Sequence, residues 1–277
     1  MLLPSRYWAD LRSGDFEDLR RSGAAGHVVA VLPVAATEQH GPHLPLSVDT
    51  DLVDALVGRA LLQLDAQVPV LVLPTQALGL SPEHAAFAGT ITLKPETILS
   101  VWRDIGESVA AAGIHKLVLF NAHGGNVAVM DMVARDLRAR LGMLVYSVSW
   151  FNLVALDEQG RDTADLFSKH EHRFGIHAGD VETSLMLAIK PERVNMAQAK
   201  NFPSTSQSRS EQFALLGNGK SAKLGWQIQD YNPEGAVGDA SAATAEKGQA
   251  LLHASAAALA RLLAEVHQLP AETVRAR

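Results

Sequence analysis

Two hydrophobic patterns alternate along the first half of the chain. Residues 28 to 36, VVAVLPVAA, form a nearly unbroken apolar run rich in Val, which suits a strand buried on both faces of a parallel sheet. Similar runs recur at 68 to 74 (VPVLVLP), 116 to 121 (KLVLFN) and 143 to 148 (MLVYSV). Between them the period becomes helical: Asp51 to Leu64 with apolar Leu52, Val53, Leu56 and Ala60, then Pro95 to Ala112, then Val127 to Leu141 with Val129, Met130, Val133 and Leu137. Pro95 suits a first helical position, and Gly113 and Gly142 stand where helices stop. Alternating strands and helices predict an α/β fold, with a mostly parallel central sheet covered by helices on both faces and ligands gathered at the carboxyl ends of its strands.

The second half is less regular. Residues 152 to 176 are polar and mixed, and 200 to 240 are rich in Ser, Gly, Asn and Gln; both are expected to be long surface loops that wall or cover a site. A last, alanine-rich helix over Ala243 to Val266 is expected to pack on the sheet or on a neighbouring subunit. There is no internal repeat or clear linker, so one domain over residues 1–277 is the expectation, with length enough to bury a substantial core.

Composition narrows the chemistry. The chain has no cysteine, which removes thiolate metal sites and cysteine nucleophiles and leaves His, Asp, Glu and water to hold any metal. A net charge of -6 without long blocks of like charge gives no footprint for nucleic acid or an anionic membrane, so a small-molecule partner is expected. The N-terminus turns charged too early for a secretory segment, and His253, Arg261 and Glu265 interrupt the most apolar C-terminal run; the expected location is cytoplasmic.

Three segments carry candidate chemistry. In TEQHGPHLPLSVDTD, Glu38 and His40 are two apart and share a direction in extended backbone, while Asp49 comes just before the helix expected near Asp51. In LVLFNAHGGN, His123 ends a strand, and Gly124 and Gly125 allow close backbone approach. In HAGDVETS, His177 precedes a helical pattern and Glu182 lies in its first turns. Each has a plainer reading, as a helix cap, a phosphate nest or a dipole partner. Together they offer imidazole and carboxylate donors suited to zinc, manganese or iron rather than to calcium or magnesium alone.

These residues bring the chain to a family. The blocks LPVAATEQHGPHLPLSVDTD, GLSPEHAAFAGTITL, NAHGGN, HAGDVETS and GAVGDASAATAEKG, in that order, resemble the creatinine amidohydrolase (creatininase) family over most of the chain. The resemblance implies a three-layer α/β/α sandwich, a homohexamer, and two divalent metals per subunit. It implies Glu38 and His123 on one metal, His40 on the other, and Asp49 bridging. It also shows two departures. Where creatininases carry a glutamate two residues after the histidine, this chain has Gly125, and Glu182 is expected to supply that carboxylate. Where they close the pocket with a tryptophan four residues before the histidine matching His177, it has Arg173. Relatives include a deformylase of a formamide nucleotide and a peptidase of a redox-cofactor precursor.

The expected activity is therefore metal-dependent hydrolysis of a carbon–nitrogen bond other than an ordinary peptide bond, in a cyclic amide, formamide or small amide, by a metal-activated hydroxide. His177 is the candidate for proton transfer, with Glu182 the shuttle if it is not a ligand. The alternatives are a family peptidase acting on a short peptide, and a non-catalytic small-molecule or phosphate-binding module. His43 and His84 are expected to support the ligands. Trp8, Trp102 and Trp226 are expected in the core or at subunit contacts.

Overall fold

The computed structural model describes residues 3–275. Four parallel strands, β1 (Val29–Val34), β2 (Val70–Val72), β3 (Lys116–Asn121) and β4 (Leu144–Ser149), form the central sheet in the order β2-β1-β3-β4. Each lies in an expected apolar run. β2 is shorter than its run because Pro69 and Pro74, which have no N–H to give the ladder, bracket it. The chain leaves β1 for one flank and returns to the other, so the order reverses between β1 and β3. Their carboxyl ends lie level, Val34 pairing with Asn121, and such a reversal opens a crevice for a ligand.

Strict alternation divides the sheet between two helical layers. Val29, Val31, Val118 and Phe120 face α2 (Val48–Gln63), α6 (Asp180–Ile189) and α9 (Ala245–Gln268). Ala30, Leu32, Leu117 and Leu119 face α1 (Ser13–Arg21), α3 (Pro95–Ala111) and α4 (Val127–Leu141). This is the expected three-layer α/β/α arrangement. Trp102 is in the second core, as expected. The alanine-rich α9 uses its small residues to lie close against α2 and α6, burying Leu252, Ala256, Leu259 and Leu263. Each such leucine contributes about 1.5–3 kcal/mol of burial.

Two expectations change. α2 begins at Val48, so Asp49 lies inside its first turn rather than ahead of it. The presumed loops also contain short elements: α5 (Lys169–Phe174), α7 (Thr205–Gln212), α8 (Ile228–Tyr231), and an antiparallel pair of β5 (Asn201–Phe202) with β6 (Gly238–Asp239). Local caps start two of them, Ser168 Oγ accepting the Glu171 amide at 3.0 Å and Ser204 Oγ the Ser206 amide at 3.1 Å. Among the described residues no helix is long and apolar enough to cross a membrane.

Candidate metal centre

The centre grows from the carboxyl ends of β1 and β3. Beyond β1 the chain stays extended to Glu38, whose amide donates to the Leu46 carbonyl at 3.1 Å. It then turns at Gly41, which has φ +67° and whose added Cβ would lie 2.8 Å from Ala236 Cβ. Glu38 and His40 thus point the same way. Asp49 arrives from the first turn of α2, where the helix N-terminus favours its charge. Beyond β3, the Asn121 side chain holds both the amide and carbonyl of His123, at 3.0 and 2.7 Å. Ala178, in left-handed backbone at φ +54°, makes the turn before α6. Its amide donates to Glu182 Oε2 at 2.5 Å.

Hydrogen bonds fix which nitrogen of each imidazole faces inward. His40 Nδ1–H donates to the Glu38 carbonyl at 3.1 Å, leaving Nε2 facing Asp49 at 3.4 Å and Glu182 at 3.9 Å. His123 Nε2–H donates to the Leu80 carbonyl at 2.9 Å, leaving Nδ1 facing Glu38 at 3.2 Å and Asp49 at 3.4 Å. His177 Nε2–H donates to the Gln39 carbonyl at 2.8 Å, and its Nδ1 lies 3.9 Å from Glu38. All six predicted residues therefore meet at one place, on which Asp49 faces both His40 and His123.

This arrangement fits divalent cations. Glu38 Oε2, His40 Nε2 and Asp49 Oδ2 are buried with no hydrogen-bond partner among the described residues, a costly state for carboxylate oxygens unless a positive charge faces them. Glu38 with His40 and His177, Glu38 with Glu83 and His123, and His40 with Asp49 and Glu182 each present three donor atoms close enough to share an ion. The electrostatics agree. Burial works against charge on His40, but Asp49, Glu182 and Glu38 override it and raise its pKa to about 9. Burial is likewise overridden at His123 by Glu38 and Asp49, which raise it well above the ordinary histidine value. Burial would raise the Asp49 carboxyl, yet His123 and His40 hold it well below the usual carboxylate range. The cluster draws positive charge into a buried site. His177 goes the other way, lowered to about 4 by burial and by charge on His40.

Further side chains surround these donors. His84 Nε2 lies 3.4 Å from Glu38, while its Nδ1 accepts from the Gln39 side-chain Nε2 at 2.8 Å. His43 is buried away from the centre, bonded to Thr183 Oγ1 at 2.9 Å and stacked on Phe202. Glu83 was missed. Its carboxylate lies 3.6 Å from His123 Nε2, and the sequence signal was only an acid between Pro82 and His84, which reads as a first-turn charge. Gly125 has its own explanation: an added Cβ would lie 2.2 Å from the Leu80 carbonyl oxygen, 2.4 Å from His123 Nε2 and 2.5 Å from Glu83 Oε1. Gly124 has open space around it, so close approach is required at one glycine of the pair.

A cavity of about 700 Å³ opens over the centre, floored by Glu38, Asp49, His123 and Glu182. Its walls include Trp150, Phe151, Ile176, Leu224 and Trp226. Trp226, expected in the core or at a subunit contact, packs against the small apolar cluster of Ile228, Tyr231 and Val237 and also stands edge-on to His84 with ring centroids 6.3 Å apart. Arg173 is exposed and lies over the Phe174 ring, so nothing at that position closes the cavity.

Comparison with known proteins gives a consistent picture. The family model described as creatinine amidohydrolase matches residues 9–263. A mycofactocin precursor peptide peptidase of Mycobacterium ulcerans is 34% identical over 228 residues, covering 79% of this chain and 78% of that protein. A creatinine amidohydrolase of Pseudomonas putida is 31% identical, covering 65% of this chain and 71% of that protein. Among solved structures, a creatininase in its Mn form matches with TM-score 0.72 and 25% identity, covering 96% of this chain and 100% of that one. A mutant creatininase complexed with creatine matches with TM-score 0.74 and 25% identity over the same shares.

Proposed function

The chain belongs to the creatinine amidohydrolase family, and from that premise we propose that it is a metal-dependent hydrolase cleaving an amide bond in a short peptide. One observation carries the metal part: buried donor atoms of Glu38, His40 and Asp49 converge without hydrogen-bond partners among the described residues. Asp49, facing both His40 and His123, would be shared between two cation sites. Glu38 and His123 would complete one set and His40 with Glu182 the other, so Glu182 takes the ligand role in place of the carboxylate absent at Gly125. When bound there, divalent cations supply Lewis acidity, polarising a carbonyl and acidifying water.

The remaining work falls to the chain's own side chains. His177 is held by the Gln39 carbonyl with its Nδ1 lone pair toward the centre. It is the group to accept a proton from water and return it to the leaving nitrogen. Trp150, Phe151 and Trp226 exclude water from the floor and offer apolar surface to the substrate.

A peptide substrate is favoured over the non-peptide amide expected from the sequence. A 34% identical relative is named for a precursor peptide, and a cavity of about 700 Å³ with apolar walls has room for several residues. An acidic floor also opposes a phosphate-binding role. On the same family premise a homohexamer is expected, measurable by light scattering. The test of function is a panel of short peptides, creatinine, formamides and lactams offered to protein reloaded with zinc, manganese or iron, with products read by mass spectrometry. Turnover of peptides supports the proposal. Turnover of creatinine or another non-peptide amide alone overturns the peptide assignment, and a protein that takes up no metal overturns the centre.

A further inference from the structure

We propose that Glu171 is a positioning residue: its buried carboxylate locks α5 onto the turn that aims His177 and Glu182 into the centre. The inference rests on the reading of those two residues given above.

Glu171 is 2% exposed, and none of the chemistry just described uses it. Its two oxygens hold separate pieces of chain. Oε1 accepts the amide of Asp180 at 2.7 Å, and Oε2 accepts the amide of Asp239 at 2.9 Å. Asp180 opens α6 two residues before Glu182. Asp239 lies two residues beyond Val237, which exchanges both backbone hydrogen bonds with His177, at 3.3 and 2.8 Å. One carboxylate therefore spans the two strips of backbone that grip His177. The surroundings are shaped around it. A Cβ added at Gly175, Gly179 or Gly238 would lie 2.3, 2.1 or 2.7 Å from its nearest Glu171 side-chain atom. A helix of six residues has little stability of its own, so α5 depends on this anchor. Burying an acid whose side-chain hydrogen bonds among the described residues are to two backbone amides costs stability, and the return is geometry: charge-assisted bonds are short and directional.

Gly175 supplies the test, because the three atoms nearest its added Cβ all belong to the Glu171 carboxyl group. Glu171→Ala and Gly175→Ala should each weaken zinc binding by about 10–100-fold at the weaker of two sites, with the tighter site unchanged. The double variant should be no worse than Glu171→Ala alone, since the new methyl enters space already cleared. Glu171→Gln must turn an NH₂ toward one of the two amides, and should fall between wild type and Glu171→Ala. Amide hydrogen exchange at Asp180 and Asp239 should accelerate in step. Additive losses, or wild-type zinc affinity and exchange in Glu171→Ala, would overturn the proposal. If Glu171→Ala does not fold, Glu171→Gln and Gly175→Ala carry the same test. A wild type that takes up no zinc defeats the metal reading alone, because exchange at the two amides still reports on the anchor.

Discussion

Adding one methyl group at Gly125 should damage the centre, whereas the same change at Gly124 should not. The ideal Cβ at Gly125 would sit 2.2 Å from the Leu80 carbonyl oxygen and 2.4 Å from His123 Nε2. Normal contact starts near 3.4 Å, so something must move by roughly 1 Å. The Leu80 carbonyl is backbone, and the imidazole is bonded to it at 2.9 Å. Overpacking costs roughly 1–3 kcal/mol, and parting His123 from its acceptor costs about 1–3 kcal/mol more by leaving a buried group unsatisfied. Gly125→Ala should therefore lose roughly 2–6 kcal/mol, against the roughly 5–15 kcal/mol of a typical domain. The protein should fold, but with His123 turned and zinc affinity down about 10–100-fold. Gly124→Ala meets nothing within 4 Å and should stay within about 0.5 kcal/mol of wild type. Urea unfolding and competition against a chromophoric zinc indicator measure both. Equal effects at the two glycines, or wild-type stability and zinc affinity in Gly125→Ala, would refute the argument.

Three further outcomes follow from the geometry. Asp49→Ala should abolish uptake of both cations by elemental analysis, and chelation of the wild type should lower its unfolding free energy by roughly 2.7 kcal/mol per site relative to protein held at a hundredfold excess of metal over Kd. His177→Ala should keep its metal content and lose about 10²–10⁴-fold in kcat on any accepted substrate, while Glu182→Gln should lose one cation; the reverse pattern would exchange the roles assigned to these two residues. Lys247→Met should cost roughly 3 kcal/mol by stranding Asp180, whose two oxygens its Nζ meets at 2.6 Å. Adding Asp180→Asn should recover most of that loss in thermal unfolding, and a failure to recover would mean that the pair is not what Lys247 contributes.

Much of this protein is written locally. Unbroken Val- and Leu-rich runs specify strands buried on both sides, and the helical period between them specifies the covering layers, because each pattern depends only on neighbours in the chain. The two-residue spacing of Glu38 and His40 likewise fixes a shared direction without reference to anything distant. Motif resemblance then brought His123, His177 and Glu182 into the same proposal. Other features had no local signal. Glu83 reads as a helix-start charge, and only the packing of Pro82–His84 against Gly125 places it beside His123. Glu171 looks like an ordinary residue of a capped turn, although Gly175, Gly179 and Gly238 all surround its carboxylate. Trp226 reads as a core or subunit-contact aromatic, and nothing local shows that, besides packing on Ile228 and Tyr231, it also meets the edge of His84. Which ring nitrogen faces the centre, and which acid faces which imidazole, depended on carbonyls such as Leu80 and Gln39, contributed by segments remote from the histidines they hold. Sequence periodicity determined the elements and the chemical types of the donors. The order β2-β1-β3-β4 decided their meeting, since a hydrogen bond or a shared charge acts over a few ångströms of space, whatever the distance along the chain.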